Sequence, residues 1–155
     1  MILKLLIKLV GTNQPQKKFQ LECLLMFAFV GKFKFCRKIF QRRIYYKYHC
    51  EVSHEANVPA STQFVHPVGV IIGSQAMLEE NVTVYQGVTI GANLRGDNSM
   101  PRIGRGSTLC AGAKLIGGIN IGKGVIVGAN SVVTKDVPDG SIVVGVNRIV
   151  GQNKA

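Results

Sequence analysis

The chain has 155 residues, room for one domain and a modest extension. Hydrophobic residues make up 46% of it, but Trp is absent and aromatics reach only 7%, which excludes a large aromatic core and leaves Val, Ile, Leu and Ala to fill thin, regular layers. The formal charge of +11 is concentrated at one end: residues 1–50 hold 11 lysines and arginines against the single acid Glu22, whereas residues 51–155 hold 8 against 7 acids. Charge therefore sets a boundary near residue 50. Basic character alone does not make a nucleic-acid binder, and no recognition motif accompanies it, so nucleic acid is not an expected partner.

Within residues 1–50, two apolar blocks (1–10 and 21–30) alternate with Lys-containing sequence, and residues 31–48 are basic and aromatic. Neither block reaches the ~18–20 residues of a membrane span. Lys4 and Lys8 interrupt the first block, and no small-residue cleavage site follows a signal-like core. The plain expectation is a helical extension of two or three short helices packed on the end of the next domain. The functional alternative is peripheral contact with an anionic membrane. Cys23, Cys36, Cys50 and Cys110 show no C-x-x-C spacing, which fits a reduced, cytoplasmic protein.

From residue 51 onward the sequence repeats. Ile72, Leu78, Val84 and Ile90 recur at intervals of six, and the series resumes in a new register with Ile103, Leu109, Leu115, Ile121, Val127 and Val133. The fourth residue after each is small or β-branched in most cases, as at Ala76, Val82, Val88, Ser107, Ala113 and Ser131. Six is neither the helical period nor a strand alternation. It suits a solenoid in which each hexad is one short strand and one turn, and three hexads close a triangular coil. Aliphatics point into the prism, small residues fill the corners, and glycine relieves the turns. Coils then stack at about 4.8 Å, with backbone hydrogen bonds running between them. The expected division is an extension over 1–50, a repeat domain over 51–140 and a C-terminal tail over 141–155.

Two irregularities break the repeat. The stretch from Phe64 to Ile72 replaces a clean pair of hexads and carries His66. The aliphatic series jumps thirteen residues from Ile90 to Ile103, and the intervening segment, polar and rich in Gly and Asn, is expected to leave the coil as an exposed loop over 91–102. A histidine at one break and a loop at the other suggest a site between them.

Val65-His66-Pro-Val-Gly-Val-Ile-Ile-Gly73, followed by Val84-Tyr-Gln-Gly-Val-Thr-Ile-Gly91, resembles the active-site stretch of the serine acetyltransferases and their polysaccharide-modifying relatives. Gly112-Ala-Lys-Leu-Ile-Gly117 and Gly128-Ala-Asn-Ser-Val-Val-Thr-Lys-Asp-Val-Pro138 are similar to the same hexapeptide-repeat acyltransferases. The match runs over residues 51–151. It implies a mainly β fold, the left-handed parallel β-helix; handedness comes from the resemblance, since the usual crossover is right-handed. It also implies an acetyl-CoA-dependent O-acetyltransferase, assembled as a homotrimer and needing no metal.

By that match His66 takes the place of the catalytic base. The chemistry asks for one, because an attacking hydroxyl must shed its proton and imidazole titrates near neutrality. Glu51, fifteen residues earlier, takes the place of the acid that holds the histidine's tautomer, where the family usually has Asp. Ala111, Gly112, Ala129, Thr134 and Lys135 match the wall along coenzyme A, and Arg148 matches the family's terminal arginine, in a segment one residue shorter than usual. Tyr85, Gln86, Asn93, Arg95 and Asp97 are the candidate acceptor contacts.

The acceptor is read from two departures. Val65 stands where the serine-specific pattern has Asp, and Ser99-Met100 where it has Arg-His. A zwitterion needs opposite charges to offset its desolvation, so these changes favour a sugar or polysaccharide-precursor hydroxyl, with L-serine as the alternative acceptor. A carbonic-anhydrase-like zinc site would need three histidines on adjacent coils, and His49 and His54 precede the regular repeat. The remaining alternative, of a different class, is a non-catalytic solenoid scaffold.

Overall fold

A computed structural model describes residues 2–29, 33–93 and 98–153. Three helices come first: α1 (Ile2–Gly11), α2 (Pro15–Ala28) and α3 (Lys34–Tyr48). Fourteen short strands follow. The chain winds round three faces in turn. Face one carries β1 (Glu51–Val52), β3 (Ile71–Ile72), β6 (Thr89–Gly91), β9 (Lys114–Ile116) and β12 (Val132–Val133). Face two carries β4 (Met77–Leu78), β7 (Arg102–Ile103) and β10 (Asn120–Ile121). Face three carries β2 (Gln63–Phe64), β5 (Thr83–Val84), β8 (Thr108–Leu109), β11 (Ile126–Val127) and β13 (Ser141–Val144), closed by β14 (Arg148–Gln152). Among the described residues the pairings between rungs are parallel, and only β14 runs antiparallel, against β13.

The period of six sets this winding. Every aliphatic of the two hexad series is buried, and so are the small or β-branched residues four positions on, from Ala76 to Ser131. Face-one partners Ile72 and Ile90 are eighteen residues apart, three hexads per turn. The corner serines bond rather than leave orphan hydroxyls: Ser107 Oγ donates to Gly122 O at 2.8 Å and accepts from Val125 N at 3.1 Å. The solenoid starts with a rung ahead of the regular hexads and runs on past residue 140. Val52 and Phe64 form an earlier rung, in which Val52 pairs with Ile72 twenty residues on, two more than a regular turn. At the other end the expected tail from residue 141 begins as a strand, since Ile142 and Val143 pair in parallel with Ile126 and Val127. The cause is the same inward aliphatic register: Val143 is fully buried.

A stack of coils leaves an apolar end and a row of unpaired carbonyls at each terminus. Here the helices close the first rung. Phe19 of α2 is fully buried, with its ring edge-on to Phe64 at 4.9 Å and to Tyr48 of α3 at 5.1 Å. Gln20 Nε2 donates to the carbonyls of Ala60 and Thr62 at 2.6 and 2.8 Å, groups that have no preceding rung to bond. Buried Glu22 is paired with Arg43 at 3.1 Å and Lys47 at 3.6 Å, which ties α2 to α3. His49 adopts a left-handed conformation (φ 51°) that turns the end of α3 into β1.

Phe19 thus joins the helices to the repeat. Phe19→Ala is expected to cost about 3–5 kcal/mol in urea unfolding and to lower the helical signal first. A loss under about 1 kcal/mol, well below that range, would show that the helices are not part of the cooperative unit.

Candidate active site

Because rungs stack in register, each corner of one coil lies over the same corner of the next. The corner between faces three and one, here the histidine edge, collects residues 65–70, 85–88, 110–113 and 128–131. The two extra residues of the early rung fall in its first member, and His66 occupies the widened turn. Its ring is exposed and lies 6.4 Å from that of Tyr85, one rung on, at an interplanar angle of 65°.

Left-handed backbone recurs down this edge at Gly69 (φ 64°), Gly87 (φ 67°), Gly112 (φ 72°) and Asn130 (φ 55°). Hydrogen bonds link the turns: Gly87 N to Val68 O at 2.9 Å, Gly112 N to Gln86 O at 2.8 Å, and Asn130 N to Ala111 O at 2.8 Å. Gly112 takes this left-handed backbone without strain, and a Cβ there would also displace the Asn130 side-chain amide. The result is a shallow, small-residue wall running away from His66 past Tyr85 and Gln86 to Ala111, Gly112 and Ala129. Three rung steps make it about 14 Å long.

Glu51 stands one rung before the His66 turn and beside the same edge, its N–H donating to Val70 O at 2.8 Å. Both side chains are exposed, and no hydrogen bond or ion pair joins them among the described residues. The other predicted donor contacts are spread further. Thr134 lies at the far end of face one, where Asn147 Oδ1 accepts from its N–H at 2.7 Å and Asn147 Nδ2 donates to its hydroxyl at 2.9 Å. Asn147 belongs to the turn after β13, which crosses the last rung of face one through the Val132–Val146 bridge. Arg148, the next residue, pairs with Val144 and so returns to the C-terminal end of the histidine edge. Lys135 is exposed beyond Thr134, toward the corner between faces one and two.

The long loop leaves from that second corner, between β6 and β7, and not from the histidine edge. Its ends are seated there: Met100 packs where a Cβ of Gly73 would be, and Ser99 and Asn93 lie against Gly118 and Gly117. A polar cavity of about 420 Å³ beside it is lined by Gln75, Ser99, Met100, Arg102 and Asn120, among others. Within one chain the two irregularities are therefore separated by the width of face one. Tyr85 and Gln86 share the edge with His66, whereas Asn93 does not; Arg95 and Asp97 lie outside the described residues. Among the described residues no group of three His, Cys, Asp or Glu is placed to hold a metal ion.

Three residues of this region were not singled out from sequence. Asn130 substitutes for glycine in the ladder, and Asn147 fastens Thr134. Lys114 reaches back one rung from β9, its ammonium donating to Gly87 O at 2.6 Å and to Thr89 Oγ1 at 3.1 Å. Cys110, half-buried on the same edge, has a thiol pKa pushed up by burial. Lys114 holds the turn that carries Tyr85 and Gln86. Lys114→Met removes two charge-assisted bonds and is expected to cost about 1–2 kcal/mol by urea unfolding; an unchanged midpoint would mean that water replaces both.

Comparison with known proteins places these features. The family model described as bacterial transferase hexapeptide (six repeats) matches residues 100–135. A serine acetyltransferase of Bacillus pumilus is 47% identical over 90 residues, 57% of this chain and 42% of that protein. One from Haemophilus influenzae is 36% identical over 118 residues, 74% of this chain and 44% of that protein. The chain thus spans less than half the length of these two relatives. Among solved structures, a serine acetyltransferase in complex with CoA superposes with a TM-score of 0.76 at 28% identity, covering 86% of this chain and 56% of that one. By repeat, sequence and fold, the chain is a left-handed parallel β-helix of hexapeptide units, serine acetyltransferase-like.

Proposed function

We propose that the chain is an acetyl-CoA-dependent O-acetyltransferase, with His66 as its general base and L-serine as its acceptor. One observation carries this reading: an exposed histidine in a widened turn stands at the head of a ladder of stacked turns that runs down one edge of the prism through Ala111, Gly112 and Ala129. Coenzyme A is a long, thin donor, and a wall of Ala and Gly lets such a chain lie close to backbone. The resemblance to a structure whose partner is CoA supports that use of the edge.

The transfer is direct. His66 takes the proton of the acceptor hydroxyl as its oxygen attacks the thioester carbonyl. When the tetrahedral intermediate collapses, the C–S bond breaks and the imidazolium returns the proton to the departing thiolate. The products are an acetyl ester and the free thiol. Glu51, one rung earlier at the same edge, would orient the imidazole and favour its protonated form, the role an acid plays beside a catalytic histidine.

The acceptor side calls for a second surface. The histidine edge offers Tyr85 and Gln86, while the polar loop and Arg102 lie across face one. We read the assembly as a homotrimer, in which the loop edge of one copy meets the histidine edge of the next. A carbohydrate acceptor was expected from Val65 and Met100. The serine acetyltransferase relatives support L-serine instead, with Arg102 able to meet its carboxylate. A sugar hydroxyl remains the second reading on the strength of those two residues.

His66→Ala is expected to lower kcat by about 10²–10⁴ while leaving acetyl-CoA affinity nearly unchanged. Unchanged turnover would end the assignment. A panel of L-serine, nucleotide sugars and simple glycosides should place L-serine first by kcat/KM; a sugar in first place would replace it, and no thiol release with any acceptor would favour the scaffold.

A further inference from the structure

The N-terminal helices present a surface that neither the solenoid nor the proposed transfer reaction uses. Helix α1 packs on α2 with one face and leaves a second apolar face bare. On that face Leu3, Ile7 and Val10 are 70%, 64% and 86% exposed, an i, i+4, i+7 stripe. Lys4 and Lys8, both exposed, lie along one side of it. Between α1 and α2 runs a cleft of about 440 Å³ with Leu21 and Leu24 in its wall and Lys8 and Lys17 among its lining residues. Helix α3 repeats the chemistry with exposed Phe35, Ile39 and Tyr46 interleaved with Lys38 and Arg42, whose guanidinium lies 5.9 Å from the Tyr46 ring centre.

We propose that this surface docks on an anionic phospholipid membrane, lying in the interface plane without crossing it. Bare apolar side chains beside ammonium groups match the boundary between acyl chains and phosphate headgroups. The cleft has the same two-part character, apolar walls and cationic groups. Charge selects this occupant over a second copy of the chain: residues 1–50 carry a net +10, the excess of 11 basic residues over one acid. Two such faces would repel each other, whereas an anionic leaflet attracts them. None of the three helices in the described residues is long and apolar enough to span a bilayer. The proposal does not depend on acetyl transfer, because no residue of the histidine edge takes part.

Flotation of the full chain with phosphatidylcholine vesicles, with and without phosphatidylserine, tests it at low and high salt. Binding is expected only to the phosphatidylserine vesicles, and high salt should release it. Lys4→Gln with Lys8→Gln should weaken the partition roughly 25-fold, at about fivefold per lysine. Leu3→Ser with Ile7→Ser should abolish flotation with the phosphatidylserine vesicles at low salt, with the melting temperature unchanged because both side chains are exposed. Failure to float with phosphatidylserine, or equal capture by neutral vesicles, would overturn the proposal. Light scattering in which Leu3→Ser with Ile7→Ser lowers the oligomeric state would assign the stripe to a second copy and overturn it as well.

Discussion

Hydrogen bonding from each rung to the next, in a register repeated every three hexads, is the constraint on which the other features depend. The partners Ile72–Ile90, Leu109–Val127 and Leu115–Val133 keep one aliphatic layer above another inside the prism. Because those bonds run between coils, a corner can lengthen without breaking a face. The chain uses this freedom twice. Two extra residues widen the turn at His66, and a long loop leaves after β6, yet β4 and β7 on either side of that loop still pair directly. Both departures thus fall at corners, on a lattice that fixes where each corner stands.

The same stacking creates a problem at the ends. A rung with no predecessor exposes its aliphatics and carbonyls together, and the helices answer both needs. Phe19 covers the apolar end, and Gln20 supplies donors to Ala60 and Thr62. At the C-terminus, β14 folds back on β13, and the turn between them carries Asn147 to Thr134 and Arg148 to the end of the histidine edge. Closing the stack and completing the wall are therefore done by one segment.

Much of this was legible in the sequence because inward residues must be aliphatic in every hexad. The series from Ile72 to Val133 gives the faces directly. The rung before it was hidden, since the span from Val52 to Ile72 is two residues longer than the repeat and Phe64 replaces a smaller aliphatic. For the same reason the edge to which each break belongs could not be counted from the sequence. His66 and the loop appeared as neighbouring irregularities, whereas winding puts them on different corners. Lys114 and Asn147 act through contacts to other rungs, which no local pattern reveals. The tail from residue 141 lacked the hexad spacing, because Val127 and Val143 are sixteen residues apart.

The central claim is that the donor lies along the histidine edge, between His66 and Ala129. Cys110 sits midway on that edge and is half-buried, whereas Cys23 and Cys50 are buried within the core. In a Cys36→Ser background, the rate of Cys110 alkylation by iodoacetamide at alkaline pH, where its raised pKa still allows a thiolate, reads occupancy of the wall. Saturating acetyl-CoA should slow that rate severalfold. An unchanged rate, with acetyl-CoA shown by calorimetry to be bound, would place the donor elsewhere and contradict the account.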